Sequence, residues 1–258
     1  MIVPARLWGE GVRIFAIGDL HLPGGDMKPM DVFGPHWENH FERISEDWRT
    51  RVGQEDIVLI PGDISWAMQL SKALEDLRMI AQLPGRILIL RGNHDYWWNS
   101  LTQLRCSLPE NIHAVQNDAF DAGEVVFCGT RGWTIPPAGS ACEMDQPPAS
   151  QDEKLYRREA MRLEMSLKAA ARMAQGRPIF AMMHYPPLLP EYAKTGTEFT
   201  RLMTQYGVKR CVYGHLHGPS VQRGYNGMYN DVEYDLVSCD ALEFRLRDVS
   251  LTQACETE

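Results

Sequence analysis

Six short apolar runs punctuate the chain, at residues 12–17, 57–60, 87–90, 125–128, 179–183 and 211–213. Each is rich in β-branched or aromatic residues and ends in glycine or polar residues. Runs of this length without polar alternation predict strands buried on both faces. Between them the period changes. Residues 66–83 carry apolar positions at three- and four-residue intervals and stop at Pro84-Gly85, which predicts a helix. Residues 153–175 predict a longer amphipathic helix ended by Gly176 and Pro178, and residues 197–206 a third, closed by Gly207. Strands alternating with helices predict an α/β fold with crossover connections. Residues 232–237 and 242–246 look like a closing meander, so the predicted sheet is mixed. Residues 136–148 (PPAGSACEMDQPP) predict a mobile surface loop inside one domain spanning residues 1–258.

The residues that follow the strands carry the chemistry. Gly18-Asp19-Leu20-His21 follows the first, Pro61-Gly62-Asp63 the second and Gly92-Asn93-His94-Asp95 the third. His184 follows residues 179–183, and Gly214-His215-Leu216-His217 follows residues 211–213. Five strands thus end in side chains able to bind a metal. In open α/β sheets the carboxyl ends of the strands line the ligand crevice, where these groups are expected to converge. Carboxylate, amide and imidazole donors without thiolate suit Mn, Fe or Zn better than a cysteine-rich structural zinc site. Asp19, His21, Asp63, Asn93, His184, His215 and His217 are too many ligands for one ion. They suffice for two ions sharing a carboxylate, a pair about 3.5–4 Å apart being the clamp used in phosphoryl transfer.

D-x-H, G-D, G-N-H-D, a lone histidine and G-H-x-H, in this order from Asp19 to His217, resemble the calcineurin-like metallophosphoesterases. The flanking text (PGDISWA, RGNHDYWW, CVYGHLHG) is similar to a bacterial branch of predicted phosphohydrolases. The resemblance implies an α/β fold, a four-layer α/β/β/α sandwich of two packed mixed sheets flanked by helices. It implies that Asp19, His21 and His217 hold one divalent ion, that Asn93, His184 and His215 hold the other, and that Asp63 bridges them with a hydroxide that attacks phosphorus. It assigns His94 to the substrate, as the group that stabilises the developing charge or protonates the leaving oxygen. The glycines at 18, 62, 92 and 214 are expected to turn the backbone sharply. One departure stands out: the phosphoprotein-phosphatase branch continues its second block as G-D-x-x-D-R-G, whereas here it reads Gly62-Asp63-Ile64-Ser65-Trp66. That leaves His94 without the aspartate that orients the corresponding histidine in that branch, and the substrate phosphate without the branch's arginine. Asp95 is one candidate, its other role being the cap of a following helix.

Other residues keep two readings. Arg91 and Arg131 are either phosphate ligands or surface ion-pair partners. Trp97 and Trp98 are either core anchors or the wall of a substrate cleft. His36 and His40 are either ordinary hydrogen-bonded residues or substrate contacts, and His113 is read as an ordinary residue. Composition narrows the functions. The formal net charge of −8 argues against binding a nucleic-acid polymer or an anionic membrane surface, but leaves a phosphate-ester substrate open, because a bound cation supplies the positive charge. Six scattered cysteines without a C-x-x-C pair, and an N-terminus lacking a signal-peptide pattern, predict a cytoplasmic protein with reduced thiols. The resulting expectation is a dinuclear phosphohydrolase acting on a small-molecule or nucleotide-type mono- or diester. Its alternatives are a phosphoprotein phosphatase and a non-catalytic binding or scaffold protein that retains the fold.

Overall fold

A computed structural model describes residues 11–25, 30–137, 148 and 150–251. Two sheets face each other. The first contains β1 (Ile14–Ala16), β2 (Ile57–Ile60), β3 (Arg86–Leu90) and β4 (Ile112–Val115), all parallel, with β11 (Arg247–Asp248) antiparallel on the outer side of β1. The second sheet runs β5 (Ala119–Asp121), β6 (Val126–Thr130), β7 (Ile179–Met183), β8 (Val208–Tyr213), β10 (Val232–Leu236), β9 (Gly227–Tyr229). Its four inner strands are parallel and its two edge strands antiparallel.

Side-chain alternation along the strands builds the layers. Ile14, Ala16, Leu59 and Leu88 from one sheet meet Phe127, Phe180, Met182 and Val212 from the other in the central core. Phe15, Val58, Ile87 and Ile89 face outward onto α1 (His40–Arg51), α2 (Leu70–Ile80) and α3 (Leu101–Ser107). Cys128, Ala181, Met183 and Tyr213 face outward onto α4 (Gln151–Ala174) and α5 (Glu198–Gln205). The expected α/β/β/α sandwich is therefore present. Because both faces of the central strands are covered, their sequences read as unbroken apolar runs.

Several boundaries differ from the sequence reading. The helix expected at 66–83 begins only at Leu70, because the chain before it is used for pairing: Leu22 N donates to Ile64 O (2.9 Å) and Trp66 N donates to Leu22 O (2.9 Å). Residues 232–246 do not form the expected closing meander. β10 is parallel to β8, and residues 242–246 form a turn in which Glu243 (φ 52°) and Phe244 (φ 61°) are left-handed. That turn carries the chain across to the other sheet, where β11 pairs with β1. Helices α1 and α3 and strands β4, β5 and β9 were not legible as periodic runs. Of the surface loop expected at 136–148, only Pro136, Pro137 and Pro148 belong to the described residues; Cys142 and Cys255 lie outside them. Cys106, Cys128, Cys211 and Cys239 are free thiols. Among the described residues no helix is long and apolar enough to cross a membrane.

Candidate metal centre

The loops after β1, β2 and β3 leave one sheet, and those after β7 and β8 leave the other, at the same rim of the sandwich. Cross-sheet hydrogen bonds fasten them together. Gly18 N donates to Val237 O (2.6 Å), His184 Nδ1 lies 3.1 Å from Pro61 O, and His215 N donates to the Asp19 carboxylate (3.1 Å). Asp19, His21, Asp63, Asn93, His94, His184, His215 and His217 are all brought to this rim.

Two groups of donor atoms form. In the first, His217 Nε2 lies 3.4 Å from His21 Nε2 and 3.5 Å from Asp19 Oδ1. In the second, His184 Nε2 lies 2.7 Å from Asn93 Oδ1, 3.2 Å from His215 Nδ1 and 3.5 Å from Asp63 Oδ2. Asp63 Oδ2 is also 3.9 Å from His21 Nε2, so this carboxylate stands between the groups. The carbonyl of Pro61 can only accept, so it fixes the proton of neutral His184 on Nδ1 and leaves Nε2 as a lone pair. That lone pair meets the amide oxygen of Asn93 and a carboxylate oxygen. A proton on His215 or on Asp63 can satisfy the lone pair once; the 2.7 Å contact with the Asn93 amide oxygen still sets acceptor against acceptor, an arrangement a cation resolves. The donor set therefore fits divalent metal on its own chemistry, and Asp19 with His21 and His217, or Asp19 with Asp63 and His184, could each enclose an ion.

Electrostatics agree with a site that exchanges protons for cations. Burial lowers His21 to about 3 despite the attraction of Asp19, and lowers His215 to about 3 with help from His184, so both are neutral. Burial opposes charge on His217, yet Asp19 and Asp240 outweigh it and raise its pKa to about 10. Burial and the Asp19 charge push Asp63 up to about 8. Burial works to raise Asp19 as well, but His217, His184 and His21 hold it well below the usual carboxylate range.

The backbone is contorted where the donors sit. Asp19 (φ 58°), His21 (φ 47°), Asp63 (φ 50°) and His215 (φ 75°) are four of the eleven non-glycine residues with left-handed φ among those described. Such conformations cost on the order of 1–3 kcal/mol each and cluster at functional sites. Of the four glycines expected to turn the chain, only Gly62 (φ 99°) does so. Gly92 and Gly214 serve close approach instead: a Cβ on Gly92 would lie 2.1 Å from Asp63 Oδ1, and one on Gly214 would lie 2.2 Å from Asp19 Oδ2.

Asp95 neither orients His94 nor caps a helix, since α3 is capped by Ser100. Its buried carboxylate accepts hydrogen bonds from the backbone N–H groups of Asp63, Ile64, Ser65 and Gly92, and from Trp97 Nε1. It thereby ties the loop carrying Asp63 to the loop carrying Asn93 and His94. The His94 ring sits between other rings, with centroids 4.6 Å from Trp66, 5.9 Å from His21 and 6.2 Å from Tyr96, and its buried Nδ1 has no hydrogen-bond partner among the described residues. Trp97 and Trp98 are buried core anchors. The aromatic wall is built instead by Trp66, stacked on His21 at 4.7 Å, and by Trp37. With Met30, Phe33 and Pro219 they line a cleft of about 380 Å³ that includes His21, Asp63, His94, His215 and His217. His36 also lines it, whereas His40 Nε2 lies 2.9 Å from Leu20 O. Sequence reading missed Asp240, whose Oδ1 lies 2.9 Å from His217 Nδ1. It sits beyond the last motif with no local signal of its own.

The profile of the family described as calcineurin-like phosphoesterase matches residues 12–219. The chain is 33% identical over 84 residues to the Gene 66 protein of Mycobacterium phage D29, a stretch covering 32% of this chain and 40% of that relative. In fold it is similar to the phosphopantetheinyl hydrolase of Mycobacterium tuberculosis, with TM-score 0.53, 17% identity, and coverage of 92% of this chain and 95% of that one. It is also similar to the protein TT1561 of Thermus thermophilus, with TM-score 0.57, 15% identity, and coverage of 93% and 99%.

Proposed function

The chain belongs to the calcineurin-like phosphoesterase family; from that premise we propose that it is a metal-dependent phosphoric ester hydrolase that cleaves small or nucleotide-type phosphate esters with two divalent ions. The observation that carries this reading is the meeting of acceptor lone pairs from both sheets around Asp63 Oδ2. Asp19, His21 and His217 would hold one ion, Asn93, His184 and His215 the other, with Asp63 between them. Oxygen and imidazole donors favour Mn or Fe, and the same donors accommodate Zn. When bound, such a pair acidifies a water and neutralises charge on the phosphate.

The chain's own residues do the rest. His94 Nε2 lies 4.0 Å from Asp63 Oδ2 on the cleft side, placed to give a proton to the leaving oxygen. Ring packing by Trp66 and Tyr96 holds it, in place of the missing aspartate. Asp240 orients His217. The cleft volume falls within the range of small-molecule sites, and Trp37 and Trp66 offer flat surfaces for the leaving group. Both features favour a small substrate over a phosphoprotein, as does the absence of the D-R-G segment.

Metal quantification coupled to a screen of monoesters, diesters, cyclic nucleotides and phosphopeptides under Mn or Fe tests the reading. Asp63→Asn should lose metal and activity together. His94→Ala should keep the metals and lose about 10²–10⁴-fold in rate. A parent protein that binds no transition metal overturns the proposal, as does a His94→Ala variant that cleaves both a monoester and a diester as fast as the parent.

A further inference from the structure

A second cavity, of about 300 Å³, opens beside the metal centre and is lined by Arg91, Arg131, Arg158, Arg162 and Glu159. Its position follows from the topology. Arg91 directly follows β3 and stands two residues before Asn93, hence within about 7 Å of it along the backbone. Arg131 directly follows β6, the neighbour of β7, and its carbonyl accepts from His184 N at 3.1 Å. Arg158 and Arg162 come from one face of α4, four residues apart.

Four guanidinium groups face one carboxylate, in a chain whose net charge is −8. Glu159 is already engaged: it is buried, it accepts from Thr130 Oγ1 (2.8 Å) and Arg162 Nη1 (2.6 Å), and it lies 4.0 Å from Arg158 Nε. Arg91 and Arg131 have no such partner. Their side chains make no hydrogen bond or ion pair with the described residues, and both Nε atoms are buried and unsatisfied. The Arg131 guanidinium lies over the ring of Trp133, 5.0 Å from its centroid. The surface ion pairs that would explain these arginines without a ligand are absent among the described residues. Unpaired buried donors are costly, and a guanidinium fork matches the oxygens of a phosphate two at a time.

We propose that this arginine pocket receives a second phosphate group of the substrate, so that the preferred esters carry two phosphoryl groups, one at the metal centre and one between Arg91 and Arg131. The assignment rests on the phosphohydrolase reading for its first half and on the pocket alone for its second. It would also let a chain of net charge −8 hold a strongly anionic molecule, since positive charge would be concentrated at two adjoining points of the rim.

The test uses the full-length, metal-loaded protein. Its kcat/KM is measured for a nucleoside 3′,5′-bisphosphate and for the matching 5′-monophosphate, and inorganic phosphate is titrated into it by calorimetry. The parent should prefer the bisphosphate and bind phosphate at two sites. Arg91→Gln and Arg131→Gln should each lower the bisphosphate-to-monophosphate ratio at least tenfold and leave one phosphate site. Arg201→Gln, an exposed arginine of α5 paired with Glu198, should change neither. An unchanged ratio with loss of the second phosphate site would mean that the pocket holds a free anion, which overturns the substrate assignment. An unchanged ratio with both phosphate sites retained overturns the pocket altogether. A parent that cleaves neither ester overturns the substrate assignment, and the phosphate titration then decides the pocket by itself; the phosphohydrolase reading stands or falls separately, on metal binding and the wider ester screen.

Discussion

Replacing Asp95 by asparagine tests whether the site is held by one buried carboxylate. Oδ1 accepts from Ile64 N (2.9 Å), Ser65 N (3.2 Å) and Trp97 Nε1 (3.1 Å), and Oδ2 accepts from Asp63 N (2.9 Å) and Gly92 N (2.7 Å). Asparagine keeps the shape but presents an NH₂ group on one side. Its cheaper orientation keeps the three bonds at Oδ1 and sets the NH₂ against two backbone N–H groups. Hydrogen bonds to a charged acceptor are worth about 1.5–3 kcal/mol each, so two lost bonds cost about 3–6 kcal/mol. Part of this is offset because the variant no longer buries a charge, which burial and Asp63 disfavour enough to push Asp95 up to about 7. A net destabilisation of about 2–4 kcal/mol remains. At about 2–4 °C per kcal/mol for a chain of this size, thermal unfolding should move down by roughly 4–16 °C. Because Asp63 and Asn93 sit on the two loops that Asp95 ties together, metal affinity should fall about 10–100-fold. Thermal unfolding and metal titration of Asp95→Asn measure both. A shift below about 2 °C with unchanged metal affinity refutes the reasoning.

Three further outcomes are expected. Gly92→Ala places a Cβ 2.1 Å from Asp63 Oδ1 and 2.2 Å from Asp63 N, so Asp63 must move by about 1 Å, which costs about 10²-fold in kcat/KM with near-parental secondary structure by circular dichroism. Trp98→Ala should destabilise by about 3–5 kcal/mol in denaturant unfolding, whereas Trp66→Ala should mainly raise KM; equal loss of folding in both would remove Trp66 from the cleft. Metal binding near pH 7 should release about two protons, because His217 is raised to about 10 and Asp63 to about 8 and both must deprotonate; affinity should therefore rise as pH rises toward 8. In the metal-free protein the sign is opposite for stability: the Asp63 contribution is full below pH 3.8 and is lost as pH rises through about 8. Calorimetry in buffers of different ionisation enthalpy reads the proton count, and no release would contradict the assignment.

What the sequence made legible was local. Each central strand is covered on both faces, so its apolar run stands out, and each is followed within a few residues by its donor side chain. Elements lacking that contrast were invisible. α1 presents mostly charged residues around Ile44 and Trp48, α3 has seven residues, and β5 and β9 are three-residue edge strands. The turn at Glu243 and Phe244 reads as a strand in the sequence because burial of Phe244 and Leu246 imitates strand alternation, while left-handed φ values leave no local apolar signature.

The sequence by itself determined where the central strands lie along the chain and the chemical kinds of donor at their ends, because both depend on residues adjacent in the chain. Only the tertiary structure decided which distant groups meet. Asp240 reaches His217 across 23 positions, and Asp95 reaches Asp63 across 32. Arg91 and Arg131 come to share a pocket because β3 and β6 end at the same rim of facing sheets. A tryptophan's place in core or cleft followed the same rule: Trp97 and Trp98 turn beneath the loop that Asp95 pins, while Trp66, in the neighbouring loop, lies over His21. Periodicity encodes which face of an element is buried; the partner across the sandwich is set by how the two sheets close.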